Sequence, residues 1–167
     1  MPVLISSLAS QLINGGKINL PLKHRTLTKT RVNIFASALI NPTGSPGIAV
    51  AHIIKDKDYT LLISESIIDE LKRILFYPKV RKRIQFTDEE LEFWVISVQI
   101  ISHIVMPRFK YPVLIAADPE DDHYLITAIE GKADFIISGD KHLLDLKYYQ
   151  GIKVLTAKEF VNIIPLT

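Results

Sequence analysis

Short apolar strand-like runs alternating with helix-like stretches predict an α/β protein. Its sheet should be mostly parallel and covered by helices on both faces. Three observations carry that expectation. Tyr59–Ile63, 135–138 and 152–155 are short, apolar and β-branched or aromatic, and each is followed by a helical or capping signal. Thr87 with Glu90, and Thr156 with Glu159, have the spacing of capping boxes that open helices. No Pro/Gly/Ser-rich linker divides the 167 residues, and a 48% hydrophobic content is enough for one ordinary core.

Taken in order, residues 1–25 show no clean period. Asn14-Gly15-Gly16 reads as a turn, and Pro21 interrupts the stretch after it. They are read as an atypical, poorly ordered N-terminal extension, and residues 26–167 as the folded domain. Thr26 to Arg31 alternates β-branched residues and reads as a polar strand. Ile34 to Ile40 is a short helix that stops before Asn41-Pro42. Ser45-Pro46 supplies an N-cap and a first-turn proline for a helix to about Lys55. After the Tyr59–Ile63 strand, Ser64 caps a helix from Glu65 to Phe76, which ends at Tyr77-Pro78.

The Thr87 capping box opens an apolar-rich helix through about Ile104, stopped by Pro107. Tyr111 to Ala117 is extended. Asp121 to Glu130 is a helix with Gly131 just beyond it. A helical turn at Lys141 to Leu146 comes after the Phe135–Ser138 strand, and Pro165 closes a last helix that starts after Thr156.

Charge is unevenly placed. Net charge is only +2, yet residues 1–55 carry six Lys/Arg and no acid, the first being Asp56. With no cysteine there is no disulfide, thiolate site or Cys nucleophile. The lack of cysteine makes a cytoplasmic location the expectation, and no apolar run approaches the ~20 residues of a membrane span, so a soluble protein with no membrane partner is expected.

Chemistry-bearing residues concentrate between Asp118 and Asp140, in DPEDDHYLITAIEGKADFIISGD. Ranged on a helix, Asp122 shares a face with Leu125, Ile126 and Ile129, where an apolar residue is expected. A carboxylate there points over the end of the sheet, whereas Asp121 is accounted for by the helix dipole. Asp140 comes after the 135–138 strand and reaches the same sheet edge, although it also suits the N-cap of the next turn. Glu70 borders the buried arc of Ile67, Leu71, Ile74 and Leu75.

Clustered carboxylates need a cation or protons to coexist. Oxygen-only ligation without Cys or paired His points to Mg²⁺ or Mn²⁺, which can activate water at a phosphodiester. The sequence has no P-loop lysine, GxGxxG, HExxH or GxSxG to compete. The scattered histidines read as packing or surface residues. Lys79, Arg81, Lys82 and Arg83 form a basic run that suits an RNA backbone or, more simply, a solvated loop.

The order NIFASALINPTGSP, SESIIDELKRIL with YPKVRKR, DPEDDHYLITA, ADFIISGDKHLL and IKVLTAKEF resembles PIN-domain proteins of the toxin–antitoxin toxin group, over about residues 26 to 164. That resemblance implies a three-layer α/β/α sandwich, a metal-dependent endoribonuclease site, an RNA substrate, an antitoxin partner and self-association. It carries the family's metal-holding and catalytic acids onto Glu70, Asp122 and Asp140, with Asp118 and Asp121 assisting. Asn33 and Ser37 match the polar residues of the first motif, and Ser138 supports the last.

The first motif departs from the family pattern, with Arg31-Val32-Asn33 standing where the family has Asp-Thr-Asn. No register shift restores the acid. An arginine cannot deprotonate, and its guanidinium competes with a metal for the neighbouring carboxylates. Two readings result: a ribonuclease impaired by Arg31, or an inactive PIN-like module that binds RNA or an antitoxin.

Overall fold

A computed structural model describes residues 26–30, 32–116 and 118–164. The N-terminal extension, Arg31 and Pro165 lie outside the described residues. The chain forms a three-layer α/β/α sandwich around a six-stranded sheet of order β3-β2-β1-β4-β6-β5. Here β1 is Thr26–Thr30, β2 Tyr59–Ile63, β3 His103–Ile104, β4 Phe135–Ile137, β5 Tyr148–Tyr149 and β6 Ile152–Leu155. Every pairing is parallel except β5 on β6.

The Thr-rich segment is therefore a central strand, pairing Leu27 with Thr60 on one side and Thr30 with Ile137 on the other. Threonine's branched Cβ suits a pleated strand even where its hydroxyl makes the sequence look polar. Its neighbours are apolar: Leu61, Leu62, Ile63, Ile136 and Ile137 are all buried.

The helices are α1 (Val32–Ile40), α2 (Ser45–Lys55), α3 (Glu65–Leu75), α4 (Pro78–Arg81), α5 (Asp88–Ile101), α6 (Asp122–Glu130), α7 (Lys141–Asp145) and α8 (Ala157–Ile163). Helix α6 lies over β1 and β2; α2 bridges β2 and α8, and α3 packs against α1 and α5. Phe35 of α1 meets Trp94 of α5 edge to face at 5.8 Å. Burial of one such side chain stabilises by about 1.5–3 kcal/mol.

Both capping boxes form as expected at Thr87/Glu90 and Thr156/Glu159. Helix α4 and strand β5 are not expected from the sequence, and three further details differ from that reading. Gly44, not Ser45, occupies the N-cap of α2. Helix α5 ends at Ile101, and His103–Ile104 instead adds a strand beside β2. Gly131 has φ −78°, and the left-handed conformation falls on Lys132 at φ 54°. The glycine is needed for close approach, because a Cβ there would lie 2.6 Å from Leu62 Cδ1 and 2.9 Å from Val105 Cγ2.

No single helix among the described residues is long and apolar enough to cross a membrane.

Candidate active site at the α3–α6 junction

Helices α3 and α6 run antiparallel, and polar side chains tie them together along their length. At one end Thr127 donates to Ser64 Oγ at 3.0 Å. At the other, Tyr124 donates its hydroxyl to Glu70 Oε2 at 2.5 Å, and His123 Nε2 lies 3.0 Å from the same oxygen. The second ring nitrogen of His123 is 2.6 Å from the Glu120 carbonyl oxygen. Both ring nitrogens of His123 thus face oxygen atoms. The Glu70 side chain is 15% exposed.

The chain enters α6 through a single turn of 3₁₀ helix, Pro119–Asp121. Asp121, at 4% exposure, is the one buried carboxylate among the described residues. Along the 3₁₀ turn and α6 the buried residues are Asp121, Tyr124, Leu125, Thr127 and Ala128, a stripe at i, i+3, i+4 and i+7 from Asp121 with Thr127 beside it. Ile126 and Ile129 are only half-buried. The stripe is therefore rotated by one position from the phase that singled out Asp122.

Asp122 has a different occupation. Its Oδ2 accepts from Leu114 N at 2.9 Å and its Oδ1 from Ile115 N at 2.7 Å. At the far end of α6, Glu130 accepts from Arg108 N at 2.8 Å and Phe109 N at 3.0 Å. Two carboxylates of one helix thus hold the irregular segment between β3 and the 3₁₀ turn, where unpaired amides would otherwise be costly. Within that segment the Tyr111 phenol is pushed above its ordinary range, first by local burial and then by the charge and hydrogen bond of Glu130.

A cavity of about 470 Å³ opens between the helices, lined by Ser66, Asp69, Glu70, Arg73, Asp118, Glu120, Asp121 and His123. Of the expected ligands, Glu70, Asp118 and Asp121 face it, and Asp122 does not. Asp140 sits at the sheet edge beyond β4, where Oδ1 caps α7 by accepting from His142 N at 2.8 Å. Its own amide donates to the buried Ser138 Oγ at 3.0 Å. Asn33 and Ser37 are exposed on α1. In the basic run, Arg81 is already engaged: Nε bonds Asp88 at 2.7 Å, and its terminal nitrogens bond the Ile84 and Phe86 carbonyls at 3.2 and 2.7 Å.

Among the described residues no three His, Cys, Asp or Glu side chains gather around one point as a finished metal site. The chemistry of the donors nevertheless fits a hard divalent ion. Glu70 and Asp121 bring oxygen ligands to one cavity from two helices, with Asp118 beside them. His123, Tyr124, Arg73 and Ser66 join the site without having been singled out by sequence. Of these, Tyr124 alone had a signal in the sequence relative to Asp121, its i+3 helical spacing.

The sequence profile of the PIN domain matches residues 32–142, from the start of α1 into α7. An uncharacterized protein of Methanocaldococcus jannaschii is 35% identical, the alignment covering 78% of this chain and 86% of that protein. A PIN domain is a nuclease-type fold, generally dependent on a divalent metal and associated with RNA. By the profile match, and by the relative that agrees with it over most of both chains, this chain belongs to the PIN domain family.

Proposed function

We propose that the chain is a metal-dependent endoribonuclease of the PIN toxin type, working in the cytoplasm with Mg²⁺ or Mn²⁺. The observation that carries this reading is the convergence of Glu70 and the buried Asp121 on one cavity from separate helices. Glu70 and Asp121 would hold the ion, with Asp118 on the cavity wall and Asp140 at the neighbouring sheet edge completing its oxygen shell. When bound, such an ion polarises a phosphoryl oxygen and lowers the pKa of a water molecule.

The chain's own residues do the positioning. Tyr124 and His123 fix the Glu70 carboxylate by donating to Oε2. Supporting hydrogen bonds of this kind orient a ligand before the ion arrives. Asp122 acts on the site from outside, by fixing the backbone at Leu114 and Ile115 a few residues before Asp118. Ser138 holds the Asp140 amide. The reaction is phosphodiester hydrolysis, in which water oxygen adds to phosphorus and one P–O ester bond breaks.

The motif order of the toxin group supports an antitoxin partner and self-association. One feature of the sequence favours a second reading, an inactive RNA- or antitoxin-binding module: Arg31 stands where the family's first acid belongs. The test is cleavage of single-stranded RNA with Mn²⁺ and with chelator, comparing the parent chain with Arg31→Asp and Glu70→Gln. The ribonuclease reading expects weak, chelator-sensitive cleavage by the parent, more by Arg31→Asp and none by Glu70→Gln. Cleavage by neither the parent nor Arg31→Asp supports the inactive module instead.

A further inference from the structure

Within a cavity walled by carboxylates, one guanidinium is placed without being neutralised by any described residue. Arg73 lies on the face of α3 that carries Ser66 and Glu70, at i, i+4 and i+7, opposite the buried Ile67, Ile68, Leu71 and Leu75. Asp69 is four residues earlier, the usual spacing for a helical ion pair. Among the described residues Arg73 nevertheless makes no ion pair or hydrogen bond. Arg81, two turns of chain later, is the contrast: all its nitrogens are used to hold the loop before α5.

The surface continues past Arg73 in a consistent way. Helix α3 ends at Leu75, Tyr77 follows at the start of α4 with 53% of its surface exposed, and α4 then presents Lys79, with Lys82 and Arg83 after it, all exposed. A row of cations interrupted by a solvent-facing aromatic is how proteins hold an unpaired strand, with phosphates on the charges and a base on the ring. A duplex would offer the phosphates but no free base to stack.

We infer that Arg73 holds the phosphate adjacent to the one at the carboxylate cavity, and that Tyr77 stacks a base of the single strand leaving along α4. The inference rests on the ribonuclease reading and adds a direction to it: the strand leaves the cavity toward the C-terminal end of α3. Three residues of helix separate Glu70 from Arg73, about 4.5 Å of rise. An arginine at that distance reaches a phosphate flanking the one at Glu70 without displacing the ion. A planar, bidentate donor is suited to that role, and it needs no proton exchange.

The test uses the full chain and a fluorescein-labelled single-stranded RNA, with binding monitored by anisotropy in chelator as salt is raised. Arg73→Gln should lower the slope of log affinity against log salt by about 0.7, the loss of one single-strand phosphate contact. Arg73→Lys should keep the slope, and Lys57→Gln, an exposed lysine at the β2 turn, should leave it unchanged. Tyr77→Ala should weaken binding about ten-fold with an unchanged slope. With Mn²⁺, Arg73→Gln should raise KM more than it lowers kcat.

A parental slope and KM for Arg73→Gln in a parent that binds and cuts RNA overturn the assignment and leave the ribonuclease reading standing. A reduced slope in a parent that binds but never cuts supports the Arg73 contact and overturns the ribonuclease. A parent that does not bind single-stranded RNA overturns both.

Discussion

Tyr124 reaches across the α3–α6 junction to donate a 2.5 Å hydrogen bond to Glu70, and His123 meets the same carboxylate oxygen at 3.0 Å. Consecutive residues of one helix thus set the orientation of an acid on another. Tyr124 itself is fully buried, so its ring cannot swing away to release Glu70.

Removing that hydroxyl is expected to loosen the site while keeping the fold. Tyr124→Phe preserves the buried ring and leaves His123 on Glu70. Loss of a hydrogen bond to a charged group costs about 1.5–3 kcal/mol, with the remaining His123 contact favouring the lower end. Supporting bonds of this kind change metal affinity by about 10–100-fold. Urea denaturation and Mn²⁺ calorimetry measure the two effects; unchanged Mn²⁺ affinity would mean Tyr124 does not position a ligand.

Gly131 offers a prediction with no catalytic content. A methyl group there would lie 2.6 Å from Leu62 Cδ1, 2.8 Å from Thr127 O and 2.9 Å from Val105 Cγ2. Gly131→Ala should therefore destabilise by about 1–3 kcal/mol through overpacking. A thermal melt that matches the parent's would show that the α6–β2 contact yields more easily than the geometry implies.

The closing helix α8 carries a pH-dependent element. The Glu159 carboxyl is held below its ordinary value, first by the Thr156 backbone amide and then by the Thr156 hydroxyl. Because the folded value is the lower one, the stabilisation is present above the unfolded pKa and lost as pH falls through the folded pKa. Thr156→Ala should cost about 0.5–2 kcal/mol at neutral pH. Glu159→Gln should flatten the acid limb of the stability curve, and a limb as steep as the parent's would contradict the linkage.

The parallel sheet and its helices were legible because strands such as Tyr59–Ile63 are continuous apolar runs and the caps at Thr87 and Thr156 are local. What was not legible depended on partners distant in sequence. Asp121 and Asp122 differ by one position, and the choice between them turns on which of Ile126 and Ala128 faces the core. The apolar count favoured Ile126; the close packing of α6 over β1 and β2 buries the smaller Ala128 instead. The two-residue strand His103–Ile104 carries no period at all, and it forms because it continues the sheet beside Leu62 and Ile63. Arg81 looked like part of an RNA-binding run because its acceptors, Ile84 O and Phe86 O, are backbone atoms with no sequence signature.

The central claim is that the cavity between α3 and α6 takes a divalent ion through Glu70 and Asp121, while Asp122 is a clamp on the backbone. The most direct test is Mn²⁺ calorimetry on the parent, Asp121→Asn and Asp122→Asn, each with its unfolding free energy measured in urea. Asp121→Asn should lose Mn²⁺ binding in a folded protein. Asp122→Asn should keep it, with stability lowered by about 1–3 kcal/mol as one of the Leu114 and Ile115 amides loses its acceptor. The reverse outcome, with binding lost in Asp122→Asn and kept in Asp121→Asn, contradicts the account.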